Sequence, residues 1–228
     1  MTTRLGEWLR RPGAAARQTV SPDKAYRMWA ATYGNPPNAF QALEDKALRE
    51  LLPPLLGCRV LDLGCGTGRL ATLARQLGAR HAVGVDRSAA MLAEARQSAV
   101  ERVQWTTADA PALPFADGAF DVVMSGLMMG HVADFAGAMA EAARVLRSGG
   151  VLLVSDFHPF ATLRGWQRTV VDPDSGREFA IEQHLHLFSE YLDHCARHGL
   201  VVDGLREPRF DGFPVAFVLR ARSRAVAR

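Results

Sequence analysis

Val60-Leu61-Asp62-Leu63-Gly64-Cys65-Gly66-Thr67-Gly68 decides the fold: an apolar run broken only by Asp62 passes straight into a turn with glycine at every second position. Arg69 to Leu77 then carries apolar residues at helical spacing, so the segment reads strand, turn, helix. Glycines in such a turn accept positive φ and let a ligand lie against the backbone. The helix that follows offers N–H groups with no partner inside it.

The pattern repeats outward. Strands at Arg59–Leu63, Ala82–Asp86, Val103–Thr106, Phe120–Ser125 and Val151–Asp156 alternate with helices near Arg69–Leu77, Ala89–Ala99 and Phe135–Leu146, the last closed by Ser148-Gly149-Gly150. That alternation predicts a parallel sheet with crossover helices on both faces. A helix over Ser189–His198 and strands Leu200–Arg206 and Val215–Arg220, split by Pro208–Pro214, predict a hairpin at the sheet edge. Upstream, Ser21-Pro22 starts a helix with Tyr26, Trp29, Ala30 and Tyr33 on one face. Gly34-Asn35-Pro36-Pro37 ends it, and a second helix runs from Asn38 to about Leu52. Phe157–Gln183 is too long for a plain connection. Within it Thr169-Val170-Val171 and Arg177–Ile181, joined by Asp172-Pro173-Asp174-Ser175-Gly176, read as a hairpin that either roofs an acceptor pocket with Phe160, Trp166 and Phe179, Arg164 and Arg168 pairing with an acidic group, or only covers the sheet.

Asp86 ends the second strand, 22 residues after Gly64, where a carboxylate can take both hydroxyls of a ribose. An adenosine-containing cofactor follows. A dinucleotide fingerprint would need its third glycine at position 69, which is Arg69, and the chain has no Gly-Lys-Ser/Thr of the phosphate-loop type. A nicotinamide oxidoreductase is disfavoured on the first ground.

With Thr107-Ala108-Asp109, Phe120-Asp121-Val122-Val123 and Ala143-Arg144-Val145-Leu146-Arg147-Ser148-Gly149-Gly150 added, the chain resembles the class I S-adenosylmethionine-dependent methyltransferases over about residues 24–220. Tyr26–Tyr33, Asn38–Glu44 and Ser155-Asp156-Phe157-His158-Pro159 are similar to the small-molecule branch typified by the ubiquinone/menaquinone-biosynthesis methyltransferases. The resemblance implies a Rossmann-like doubly wound, mostly parallel seven-stranded α/β sheet with an antiparallel C-terminal edge and an N-terminal helical lid. Residues 1–21 are then expected as a loose arm, 22–57 as a helical cap and 58–228 as the cofactor-binding core, with a substrate-cover insertion at about 157–183.

The same resemblance implies the site. Gly64, Cys65, Gly66 and Gly68 would face the amino-acid part of S-adenosylmethionine, with Asp62 reaching its ammonium; S-adenosylhomocysteine is the product. Asp86 and the following Arg87 would lie at the ribose, Asp109 and Ala110 at the adenine with Met91 and Leu92 against the ring, and Ser125–Leu127 at the sulfonium. Tyr26, Trp29 and Tyr33 would form a partial lid over the methionine end; by spacing alone they are a core-facing stripe. Asp62 and Asp86 read as helix caps when each is taken singly, and Asp109 suits its turn.

Where the acceptor must lose a proton, histidine is the usual base near neutral pH, and His131, His158 and His186 are the candidates beside His184. His194 and His198 share a helix face with no carboxylate or cysteine to complete a set, so no metal is expected. The nucleic-acid branches carry Asn/Asp-Pro-Pro-aromatic after the fourth strand; here that place reads Ser125-Gly126-Leu127-Met128.

The net charge of +3 is too small to imply nucleic acid, and the arginines at 10, 11, 17, 220, 222, 224 and 228 read as solvated ends. Cys58, Cys65 and Cys195 form no CxxC pair, and no apolar run is long enough for a membrane helix or a secretory leader. The expectation is a cytoplasmic monomer or homodimer acting on a small-molecule acceptor, with no nucleic-acid or membrane partner. A cofactor-binding sensor or scaffold without turnover is the alternative.

Overall fold

The structure is a computed structural model that describes residues 9–10, 18–33, 39–97 and 102–224. Strands β1 (Leu9–Arg10) and β2 (Thr19–Val20) precede helices α1 (Pro22–Trp29) and α2 (Ala39–Leu51). Next come β3 (Arg59–Leu63), α3 (Arg69–Gln76), β4 (His81–Asp86), α4 (Ala89–Gln97), β5 (Val103–Thr107), β6 (Phe120–Gly126), α5 (Phe135–Arg144) and β7 (Leu146–Phe157). The chain continues through α6 (Pro159–Leu163), β8 (Gln167–Val171), β9 (Glu178–Ile181), α7 (Phe188–Arg197), β10 (Leu200–Arg206), β11 (Arg209–Phe210), β12 (Phe213–Pro214) and β13 (Ala216–Ser223).

Seven strands form the central sheet in the order β10-β13-β7-β6-β3-β4-β5, parallel from β7 to β5 and antiparallel at β13 and β10. This is the expected Rossmann-like α/β architecture. Alternation along each strand divides its side chains between two covered faces. Leu61 and Leu63 pack with Met139 and Ala142 of α5 and Tyr191 of α7, while Val60 packs with Leu48 of α2 and Leu70 and Ala74 of α3. Burial on both sides is why these strands read as near-continuous apolar runs.

Two readings are corrected. Helix α5 stops at Arg144, and Leu146 already pairs with Phe120. Ser148-Gly149-Gly150 therefore does not close the helix: it sits in β7, where the register with β6 shifts between Phe120 and Val122. Gly149 has φ +72°, and a Cβ on Gly150 would come within 2.9 Å of the Asp121 carbonyl oxygen, so only glycines fit this wide irregularity.

The second concerns the loose arm, which holds strands where it is described. Leu9–Arg10 pairs with β8 and Thr19–Val20 with β9, making a second, four-stranded sheet in the order β1-β8-β9-β2. The expected hairpin is present as β8–β9. Trp29 of α1 packs with Val20, Val170, Phe179 and Ile181, with Tyr26 and Tyr33 alongside, so the aromatic stripe of the N-terminal helix and the insertion share one small core. Helix α1 is capped by the Ser21 hydroxyl, which accepts from the Lys24 N–H, and it tightens into a 3₁₀ turn at Ala30–Thr32. The breaker at 34–37, the start at Asn38, the end of the helix expected over Ala89–Ala99, and Arg11, Arg17 and Arg228 lie outside the described residues.

Helix α2 is tied to the sheet through a buried carboxylate. Glu44 is fully buried, accepts from the Ser155 hydroxyl and pairs with Arg69 Nη2 at 2.8 Å; Arg69 also pairs with the more exposed Asp45. Arg69, at the position where a dinucleotide site has its third glycine, thus anchors the cap to the first turn of α3. Removing one partner of a buried pair costs far more than removing an exposed one. Urea unfolding should show Glu44→Ala destabilised by about 3 kcal/mol and Asp45→Ala by under about 1 kcal/mol.

Candidate functional site

The parallel strands deliver their C-terminal ends to one edge, and a cavity of about 220 Å³ opens there. Its wall takes Leu63 and Gly64 after β3, Asp86 and Arg87 after β4, Asp109 and Ala110 after β5, and Met128 and His131 after β6. Pro22 of α1 closes one side. Open α/β sheets bind ligands at this edge.

The glycine turn is shaped by what presses on it. Gly64, Gly66 and Gly68 have φ of +71°, +53° and +86°. A Cβ on Gly64 would stand 2.2 Å from Met128 Cγ, and one on Gly68 would stand 2.2 Å from the Trp105 ring. One on Gly66 meets nothing closer than Tyr33 Cε1 at 3.9 Å, so the middle of the turn is the open part of the cradle.

Two carboxylates hold the turn. Asp86 accepts from the Gly66 N–H through Oδ2 and from the Ser88 N–H through Oδ1, both at 2.8 Å. It therefore caps the approach to α4 and also fixes the turn, and two of a carboxylate's roughly four acceptor positions stay open. Burial raises its pKa against the pull of those N–H groups. Asp62, 1% exposed, accepts from the Ala71 N–H at 2.8 Å and fastens α3 to β3. Burial pushes it up to about 7, with the Asp86 and Glu44 charges adding to the rise.

Asp109 lies on the cavity wall, and its carboxylate accepts from the Ala110 N–H at 3.1 Å. The loop it starts is pinned by Arg144, which donates to the Phe115 and Leu113 carbonyls, and by Glu141, which accepts from the Leu113 N–H at 2.7 Å. Arg87 joins the wall and pairs with Asp23 of α1 at 3.1 Å between exposed side chains. Met91 is buried away from the wall, and Cys65 is buried in the turn with its thiol pKa raised well above normal by burial.

The structure separates the histidines. His158 is buried with both ring nitrogens engaged: Nδ1 accepts from the Phe160 N–H at 3.0 Å, and Nε2 then donates to Glu207 at 2.9 Å. It caps α6 and offers no lone pair to a substrate, so its place on the list of bases is withdrawn. His186 stacks on Phe135 at 4.1 Å and lies in a separate small cleft with Asp156 and Tyr191. His131 is different. Its Nδ1 lies 3.0 Å from the Glu182 carbonyl oxygen, which can only accept, so Nδ1 carries the proton and Nε2 is a lone pair. Nε2 is buried and has no partner, and His131 forms part of the cavity wall.

Tyr26 meets the His131 ring edge-on at 5.6 Å and stacks with Trp29, and Trp29 meets Tyr33 edge-on at 4.9 Å. The aromatic stripe thus continues from its own small core to the cavity edge. Ser125, at the end of β6, is fully buried with an unpartnered Oγ. Among the described residues no three His, Cys, Asp or Glu side chains gather where they could hold a metal ion.

Sequence reasoning gave Asp156 no role and Arg168 only a loose one. Asp156 ends β7 and accepts from the Gly130 and Phe157 N–H groups, each at 2.6 Å. Arg168 is 4% exposed and donates from Nη1 to the Leu127 carbonyl at 2.9 Å. Arg168 shares a face of β8 with Val170, but Thr169 on the opposite face is buried as well, so no period-two signal marks the cation.

A family model described as a methyltransferase domain matches residues 61–154. A demethylmenaquinone methyltransferase of Thermus thermophilus is 44% identical over 105 residues, 44% of this chain and 48% of that protein. A ubiquinone/menaquinone biosynthesis C-methyltransferase of Roseobacter denitrificans is 37% identical over 121 residues, 50% of this chain and 48% of that protein. The chain thus spans about half the length of these curated relatives. The crystal structure of an S-adenosylmethionine-dependent methyltransferase from Mesorhizobium loti superposes with a TM-score of 0.67 at 25% identity, covering 79% of this chain and 97% of that one. The chain has the class I S-adenosylmethionine-dependent methyltransferase fold, and about half of its length is similar to the ubiquinone/menaquinone enzymes.

Burial, with the Arg168 charge second, holds the His131 pKa well below the usual value near 6.5. Any stability linked to its neutral form is present above that value and is lost as pH falls below it. Nitrogen-15 NMR should show a neutral Nδ1–H tautomer that does not titrate between about pH 6 and 8. A midpoint inside that range would contradict the geometry.

Proposed function

We propose that this chain is an S-adenosylmethionine-dependent methyltransferase acting on a small-molecule acceptor. The observation that carries the reading is the glycine cradle whose middle N–H is held by Asp86 at the rim of the cavity. The residues fit the cofactor: Asp86 has acceptor capacity left for ribose hydroxyls, Asp109 stands one strand further along, and the open centre at Gly66 leaves room at the backbone. Bound there, S-adenosylmethionine supplies a methyl group on a sulfonium.

The chain's own residues do the rest. Asp62 and Asp86 concentrate negative charge where a cationic ligand comes to rest. Tyr26, Trp29 and Tyr33 exclude water and offer ring faces to a cation. His131 Nε2, a neutral lone pair, accepts a proton from an acidic acceptor. The relatives' names speak of demethylmenaquinone, ubiquinone and menaquinone, and the aromatic wall beside His131 suits a planar quinone-type ring.

Calorimetry tests the cofactor half. Asp86→Ala should weaken S-adenosylhomocysteine binding by about 2–4 kcal/mol and Asp109→Ala by about 1–2 kcal/mol, since the first loses charge-assisted bonds to hydroxyls and the second a bond to a neutral amino group. Unchanged affinity for the Asp86 variant would remove the ribose assignment. Turnover of labelled cofactor with quinol acceptors tests the activity; an idle binding protein would bind and not turn over.

Asp62 adds a pH signature. A ligand ammonium favours its ionised form, so binding should expel a proton near its pKa of about 7, and affinity should fall as pH drops below that value. Titrations in two buffers of different ionisation heat should show this release, and Asp62→Asn should flatten it. Identical heats in both buffers for the wild type would sink the assignment.

A further inference from the structure

Arg168 is the buried charge that the reading above leaves unused. It sits on β8 of the inserted hairpin, 4% exposed, with Nη1 spent on the Leu127 carbonyl. Nη2 is buried and has no hydrogen-bond partner. Asp156 Oδ1 lies 3.6 Å from Nη1, an ion pair between two buried groups that is too long for a hydrogen bond, and each Asp156 oxygen accepts from a backbone N–H. Arg168 shares a side-chain hydrogen bond with the Tyr26 hydroxyl and acts electrostatically on Tyr33 and His131. Burial keeps both phenols protonated and the imidazole neutral, so none of these neighbours supplies an anion. A guanidinium has five donors in a fixed fork, and leaving them unpaired away from water is costly.

Its place along the sheet edge says what the missing acceptor belongs to. Asp109 follows β5, Asp86 ends β4 and the glycine turn follows β3, three neighbouring strands that hold the cofactor in the proposed reading. Leu127 and Asp156, the residues Arg168 reaches, follow β6 and end β7, the next two strands on the other side of β3. Arg168 therefore stands beyond the methionine end, over the strands left to the acceptor. Ser125 Oγ and His131 Nε2, the other unpartnered buried atoms named above, come from the same side.

We propose that Arg168 holds an ionised oxygen of the methyl acceptor, an enolate, phenolate or carboxylate on an otherwise apolar ring, and so selects acceptors that carry one. The inference rests on the methyltransferase reading and adds the group that the acceptor side recognises. Arg168 acts here as a specificity residue.

The test is calorimetry on the full chain loaded with S-adenosylhomocysteine, using 2-hydroxy-1,4-naphthoquinone, ionised at neutral pH, and its neutral 2-methoxy ether as probes. Wild type should bind the ionised ring at least about tenfold more tightly than the ether, and this arm needs no variant. In Arg168→Met the preference should shrink to within about threefold, while Arg168→Lys, a point charge without the fork, keeps part of it. S-adenosylhomocysteine affinity should stay within about twofold of wild type in both variants, which also shows that they fold. Equal binding of the two rings by wild type overturns the proposal and leaves the cofactor reading standing. A loss of affinity for S-adenosylhomocysteine in Arg168→Met, with none for its decarboxylated analogue, assigns the guanidinium to the cofactor's carboxylate and also overturns it. Failure of wild type to bind S-adenosylhomocysteine at all removes the methyltransferase reading and this inference with it.

Discussion

The hydrogen bond from the Gly66 N–H to Asp86 is the contact on which the rest of the site depends. It ties the middle of the glycine turn to the end of the neighbouring parallel strand, so the cradle cannot shift without moving β4. Asp62 does the same for the other side of the turn through the Ala71 N–H. Both carboxylates are held by neutral donors, burial raises both pKa values, and the Asp86 charge adds to the cost of ionising Asp62. A fold that keeps two such groups together stores unfavourable electrostatics that a cationic ligand relieves.

That arrangement was legible because it rests on backbone rules. Positive φ at alternate glycines, a carboxylate at each strand end and dry strands on both faces leave marks at fixed spacing, and Val60–Gly68 with Asp86 carried them all. The four-stranded second sheet was only half legible. Its hairpin announces itself through Asp172-Pro173-Asp174-Ser175-Gly176, but β1 and β2 contribute two residues each, too few for any periodicity. Their pairing is set by long-range contact with β8 and β9, which no local pattern encodes.

The histidines show the same limit at the level of one atom. His131 and His158 both follow sheet strands and both are buried, so spacing treats them alike. What distinguishes them is which nitrogen meets which partner: a carbonyl at Nδ1 leaves His131 a lone pair, whereas a backbone N–H and a carboxylate use both nitrogens of His158. Glu182 and Glu207, which decide the outcome, lie about fifty residues downstream on other elements. Asp156 and Arg168 were hidden for a related reason, since each is a single charge in an apolar strand whose meaning comes from the other.

These charges give the sheet edge a polarity. Asp62 and Asp86 stand at β3 and β4, Arg168 reaches over the ends of β6 and β7, and the neutral His131 and the aromatic rings of α1 lie near the middle. In the proposed reaction the cationic partner rests on the carboxylate side and an ionised acceptor on the guanidinium side, so each is held in place of its lost hydration. Methyl transfer between them would neutralise both charges within a water-poor space, and the products would lose the attraction that drew the reactants in. The lid follows from the same requirement. In this reading its aromatic core, shared between the N-terminal helix and the inserted hairpin, keeps water from screening the two charges before they meet.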